Sequence, residues 1–229
     1  MADRSTPPAG HPELVLMLLA DARAPTSGHT QSAGLEPALA RGLSPVEIPS
    51  YCRTRLRTVA LVEAATAVVA RHHVLAGASL DGVEDAWAAR TPSEAMRQAS
   101  YAMGRGCGRL ALRVWPGHAS IRRLATHERL SRPSVLGTIA ATAGLSPDQL
   151  VRLVGYDDVQ TVLSAALKLC PFDPAVAAQV VVSTFDDIER LVDPLRGLTD
   201  PYDIPAPSAP LIEAWAQSHA HTPRRLFSA

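Results

Sequence analysis

Apolar positions along this chain recur at the three-and-four spacing of one helix face, and strict alternation never survives more than a few residues. Residues 1–11 read as a disordered leader, polar and proline-rich. Glu13 to Ala22 predicts a helix that is apolar nearly all round, from Leu14 through Leu19, and therefore buried. Arg23 to Gln31 is a loop punctuated by Pro25, Ser27 and Gly28. Ser32 to Arg41 restarts a helix, with Ser32 as N-cap and Gly42 just past its end.

Val46 to Val74 reads as one helical stretch whose buried face carries Leu56, Val59, Val62 and Val69. Leu80 to Arg90 forms a shorter helix after Gly77. Thr91-Pro92-Ser93-Glu94 starts another, with Thr91 as N-cap, running to about Trp115. Ser134 to Ala143 is ended by Gly144, and Ser146-Pro147-Asp148 caps a long helix with the stripe Val159, Val162, Leu163, Ala166, Leu167, Cys170. Asp173-Pro174 opens a helix striped by Val176, Val180, Val181, Thr184, Ile188 and Leu191; its 3.6 period outweighs the strand-like Val180-Val181-Val182. Residues 193–210 hold five prolines and read as a linker; Ala209 to Ala220 is a last helix, followed by a tail. The chain is thus expected to be all-α, a single helical bundle over residues 12–192, with 193–229 as linker, short helix and C-terminal docking tail.

Composition narrows this picture. With 47% apolar but only 4% aromatic residues among 229, the core must be built of Ala, Leu and Val, which favours closely packed helices. A net charge of zero leaves no electrostatic footprint for nucleic acid or anionic lipid. Lys168 is the single lysine and has no glycine near it, which excludes a phosphate-binding P-loop. Cys52, Cys107 and Cys170 are odd in number and widely spaced, fitting buried thiols in a reducing cytosol. No basic start precedes an apolar run at the N-terminus, and Leu14 to Ala20 is too short to cross a bilayer.

Catalytic patterns are thin. Gly104-Arg105-Gly106-Cys107-Gly108 holds G-x-G-x-G, but a dinucleotide loop needs a strand before it, and both flanks here are helical; the glycines instead allow helices to approach. Arg105, Arg109 and Arg113 fall four apart and form a solvated or partner-facing ridge. None of the eight histidines forms H-E-x-x-H. His219 and His221 are weak candidates for a transition metal, since two imidazoles do not close a site. The adjacent acids Asp157-Asp158 and Asp186-Asp187 point in different directions on a helix and read as solvated faces or caps. No G-x-S-x-G elbow is present, and no catalytic residue is nominated.

The two ends carry a resemblance. Asp21, Pro25, Thr26, Gly28, Ser32, Gly34, Leu35 and Glu36 match the N-terminal signature of the urease accessory protein F family. Ser164 to Leu169 with Pro171 resembles that family's S-A-A-x-[RK]-L-x-P-L-G segment, and Arg225-Leu226-Phe227 resembles its R-L-F ending, with His219 where a histidine is usual. The matches keep their order across the chain. Departures are His29 in place of an aromatic, Gln31 in place of histidine, Ser27 in place of glycine, and Phe172-Asp173-Pro174 after Pro171. The resemblance implies an all-helical cytoplasmic homodimer without catalytic activity or a cofactor of its own. It implies two accessory partners, protein D (also called H) and the GTPase G, and service to apo-urease; nickel and GTP are handled by those partners.

By the same resemblance, Gly28, His29, Glu36, Lys168, Arg224, Arg225, Leu226 and Phe227 are partner-binding residues, with His29 and Arg225 at positions linked to recruiting the GTPase. Two further readings stay open: a metal-handling protein or enzyme using His219 and His221, and a helical regulator of an unrelated GTPase.

Overall fold

The computed structural model describes residues 11–26, 28–222 and 226–227. Among the described residues there are helices and turns but no strands. The helices are α1 (Pro12–Ala20), α2 (Leu35–Ala40), α3 (Ile48–Arg57), α4 (Val59–Leu75), α5 (Asp81–Ala89) and α6 (Glu94–Val114). There follow α7 (Ala119–Leu124), α8 (Arg132–Ala143), α9 (Pro147–Leu169), α10 (Pro174–Ser183), α11 (Phe185–Leu195) and α12 (Pro210–His219). Apart from His11, the expected leader lies outside the described residues.

The core is an alanine-valine seam. Ala60, Ala64, Ala67 and Ala70 of α4 are fully buried, and α4 packs chiefly along α8 and then α9. Gly137 of α8 makes the approach possible: a Cβ there would run into the Ala67 carbonyl and lie 2.8 Å from both Ala70 Cβ and Arg71 N. Gly104 of α6 does the same against the Leu130 carbonyl, so this part of the glycine cluster serves packing. At the α8–α9 corner, Gly144 takes the left-handed conformation (φ 74°), and Ser146 and Gln149 close a reciprocal capping box.

Several boundaries differ from the sequence reading. The stretch 46–74 is two helices behind a short 3-10 turn, broken at Thr58. The Thr58 hydroxyl donates to the Thr54 carbonyl at 2.8 Å, satisfying a main-chain acceptor by side chain. Thr184 breaks the 174–191 helix in the same way, its hydroxyl donating to Val181 O at 2.7 Å. Ser93, not Thr91, caps α6, and α2 starts behind Gly34 rather than Ser32. By length and hydropathy the stretch Pro45–Leu75 would span a bilayer, yet it is bent at Thr58 and its second half is the middle of the bundle.

α1 is the clearest correction. Only Leu19 is buried, while Leu14, Met17 and Leu18 are 60%, 66% and 42% exposed. A nine-residue helix that is apolar all round packs chiefly on α9 and so leaves its outer side open. The proline-rich segment after α11 is ordered by its own anchors: Ile204 is buried, and the Arg90 guanidinium donates to the carbonyls of Ile204 and Tyr202 at 2.6 and 3.0 Å.

Candidate functional site

α2 is the element against which residues 226–227 pack. Its entry needs two left-handed residues, Ala33 (φ 51°) and Gly34 (φ 75°). Glycine is required at 34, because a Cβ there would sit 2.8 Å from the Tyr51 hydroxyl. That hydroxyl donates to Ala33 O at 2.8 Å, pinning the turn, and burial pushes the Tyr51 phenol up to about 12. Tyr51 also meets the Trp215 ring of α12 (centroids 6.5 Å).

The turn presents Glu36 to the C-terminus. Its two carboxylate oxygens accept the backbone N–H groups of Leu226 and Phe227 at 2.7 and 2.9 Å. His219, 5% exposed at the end of α12, brings Nε2 to 3.2 Å from Glu36 Oε2. The two atoms are close but not aligned as a hydrogen bond. Phe227 is buried, and the Lys168 ammonium from the last turn of α9 lies 5.3 Å from its ring centroid. Leu226 points out, 63% exposed. On the other side of α12, Arg41 donates to the Ser218 hydroxyl at 2.7 Å, and Gln217 Oε1 accepts from Ser93 Oγ and Ala95 N at the start of α6.

The structure thus brings together four of the eight sequence-nominated residues, Glu36, Lys168, Leu226 and Phe227. Gly28 stands in the neighbouring 3-10 turn Gly28–Thr30, as does the backbone of His29. Arg224 and Arg225 lie outside the described residues. His219 and His221 do not act as a pair, because His219 faces Glu36 and His221 is exposed. Among the described residues, no three His, Cys, Asp or Glu side chains cluster as a metal site would need.

Next to this junction, a cavity of about 110 Å³ runs between α12 and the core, bounded by Gln31, Gly34, Met96 and Ile212. Charged side chains form its floor. Arg55 donates from two guanidinium nitrogens to the two oxygens of Asp158, and Arg132 donates to Asp157 Oδ2 at 2.6 Å. Glu63 Oε2 lies 4.0 Å from Arg132 Nη1. Desolvation pushes Glu63 up to about 7, against the pull of Arg132 and of the Trp87 indole, which is near but not well aligned to bond it. Burial is the largest single influence on Arg55 and would lower its pKa, but the charges and hydrogen bonds of Asp158 and Tyr51 together outweigh it and the net direction is up.

The acids Asp157 and Asp158 are therefore not solvated caps, and Asp187 is likewise half of a shared ion cluster with Arg53, Arg57 and Arg190. The sequence carried one signal of this floor: Glu63 is the only charge in Val59–Ala70.

The geometry defines a class: an all-helical domain that fastens its C-terminal residues 226–227 to the first turn of α2 on one side of its core. The family model UreF matches residues 44–184. The chain is 37% identical over 219 residues to the urease accessory protein UreF of Mycobacterium sp. (strain JLS), covering 93% of this chain and 97% of that one. It is 34% identical over 220 residues to UreF of Mycobacterium marinum and 33% over 216 residues to UreF of Mycobacterium tuberculosis (strain H37Ra), at the same coverage. The chain belongs to the UreF family of urease accessory proteins.

Proposed function

We propose that this chain is a non-enzymatic co-chaperone that scaffolds nickel insertion into apo-urease. In this reading it works in the cytoplasm as a homodimer, holding the D/H accessory protein at its joined ends and positioning the GTPase G. Nickel and GTP stay with the partners. The observation that carries the reading is the junction of three motifs: Glu36 of the N-terminal motif accepts the Leu226 and Phe227 amides of the C-terminal motif, and Lys168 of the α9 motif lies over the Phe227 ring.

The division of labour follows from exposure. Phe227 anchors the tail to the chain's own core, while Leu226 stands outside as a contact. A tail already tied down loses less entropy on docking than a free one. In this reading Leu226 meets the partner and buried Phe227 positions it.

Co-purification with the D/H protein and the GTPase tests this. Truncation after Ala220 and Arg225→Ala are expected to reduce recovery of the ternary complex at unchanged helix content. Full recovery of both partners by the truncated chain would count against the proposal.

A further inference from the structure

Between Glu94 and Arg132 eight arginines face two glutamates, in a chain whose net charge is zero. Elsewhere most described arginines find carboxylates, as Arg53 with Asp187, Arg152 with Glu189 and Arg196 with Asp193, and Arg41, Arg71 and Arg90 find hydroxyl or carbonyl oxygens. On this stretch, Arg105, Arg109 and Arg113 of α6 and Arg123 of α7 are exposed and, among the described residues, meet no carboxylate. Arg113 is favoured by the C-terminal end of the helix dipole; Arg105 and Arg109 stand in the middle and gain nothing from it. Like charges four apart on a helix repel, so the ridge is a local strain the fold itself does not relieve.

A groove of about 250 Å³ runs beside the ridge. Arg105 and Arg109 form one wall, and Leu112, Leu124 and Leu130 supply an apolar floor. Gly108 opens into it with nothing within 4 Å of where a Cβ would be. A glycine inside a helix is unfavourable by about 1 kcal/mol against alanine; Gly104 is explained by packing, whereas Gly108 touches nothing. Glu128 sits at the groove with His127, so the positive side of the cleft is the α6 wall.

We infer that this groove receives an acidic amphipathic helix of a protein partner. Carboxylates spaced four apart repeat at about 6 Å, the spacing of the arginines, and each guanidinium offers a planar fork to one of them. Apolar side chains between those acids fill the floor, and the missing side chain at 108 lets the partner backbone come close. A nucleic acid would use the charge but not the apolar floor, and the chain as a whole brings no excess positive charge to a phosphate backbone. The surface shares no residue with the Glu36 junction.

The test uses the full-length protein and a fluorescein-labelled helical peptide with Glu at i, i+4 and i+8 and Leu at the intervening inner positions. A peptide with Lys for Glu, a dT20 oligonucleotide and phosphatidylserine vesicles serve as competitors. The acidic peptide is expected to bind, to weaken with salt, and to lose about tenfold affinity in R105Q/R109Q/R113Q. Gly108→Leu, which plugs the groove where there is room, is expected to abolish binding at unchanged helix content; Glu36→Ala leaves binding intact. Absence of binding, equal binding of the Lys peptide, indifference to Gly108→Leu, or arginine-dependent binding of dT20 or vesicles in place of the peptide would each overturn the assignment.

Discussion

Glu63 carries the most direct consequence of burial. Its carboxyl is pushed from 4.5 to about 7 by desolvation, so the folded chain favours the neutral form. In the unfolded chain the group ionises near its ordinary value. Stability from this source is present in full below pH 4.5, falls as pH rises toward 7, and is lost above that. Glu63→Gln is expected to stabilise the protein at pH 8 by about 1–3 kcal/mol and to have much less effect at pH 5. Urea denaturation of both proteins at the two pH values checks this; a difference independent of pH would remove the argument. Glu36 is a second test. Bonds to an ionised acceptor contribute about 1.5–3 kcal/mol each, so Glu36→Ala should speed amide exchange at 226–227 and in α12 roughly tenfold or more. Unaltered exchange would mean that the tail is held by something other than this carboxylate. Glu36 was legible from its motif position, but that its partners are the chain's own tail amides was not, since no local pattern encodes a contact across 190 residues.

Helices were legible where their ends carry chemistry. Ser146-Pro147 and Gly144 punctuate the α8–α9 corner as their residue types dictate. The breaks at Thr58 and Thr184 were hidden because apolar periodicity continues through them; only the hydroxyl bonds to Thr54 O and Val181 O mark the change. The burial of α1 was misread for a different reason. An apolar sequence says that a helix seeks cover, not how many neighbours the fold provides. Close approach of α4 and α8 is a property of one residue pair face, and Gly137 is its weak point. Gly137→Ala is expected to lower stability by about 1–3 kcal/mol despite alanine's better helix propensity. An unchanged denaturation midpoint would show that the seam relaxes freely.

As a whole, the chain is a bundle in which residues 226–227 are tied to the first turn of α2, with a charged cavity beneath α12 and an arginine ridge on α6 that meets no carboxylate among the described residues. Similarity to UreF proteins runs over 93% of the chain, and folding brings Glu36, Lys168 and the 226–227 segment together at one junction. The ion pairs under α12 were illegible in sequence because Arg55, Glu63, Arg132, Asp157 and Asp158 come from four helices. The proposed function requires that partner proteins of urease maturation read the junction of Glu36 with residues 226–227. Calorimetric titration of the purified D/H accessory protein into wild-type chain and into Leu226→Glu tests it most directly, since Leu226 is exposed and its loss leaves the core intact. A dissociation constant raised at least about tenfold at unchanged melting temperature is the predicted result; identical constants for the two chains would contradict the account.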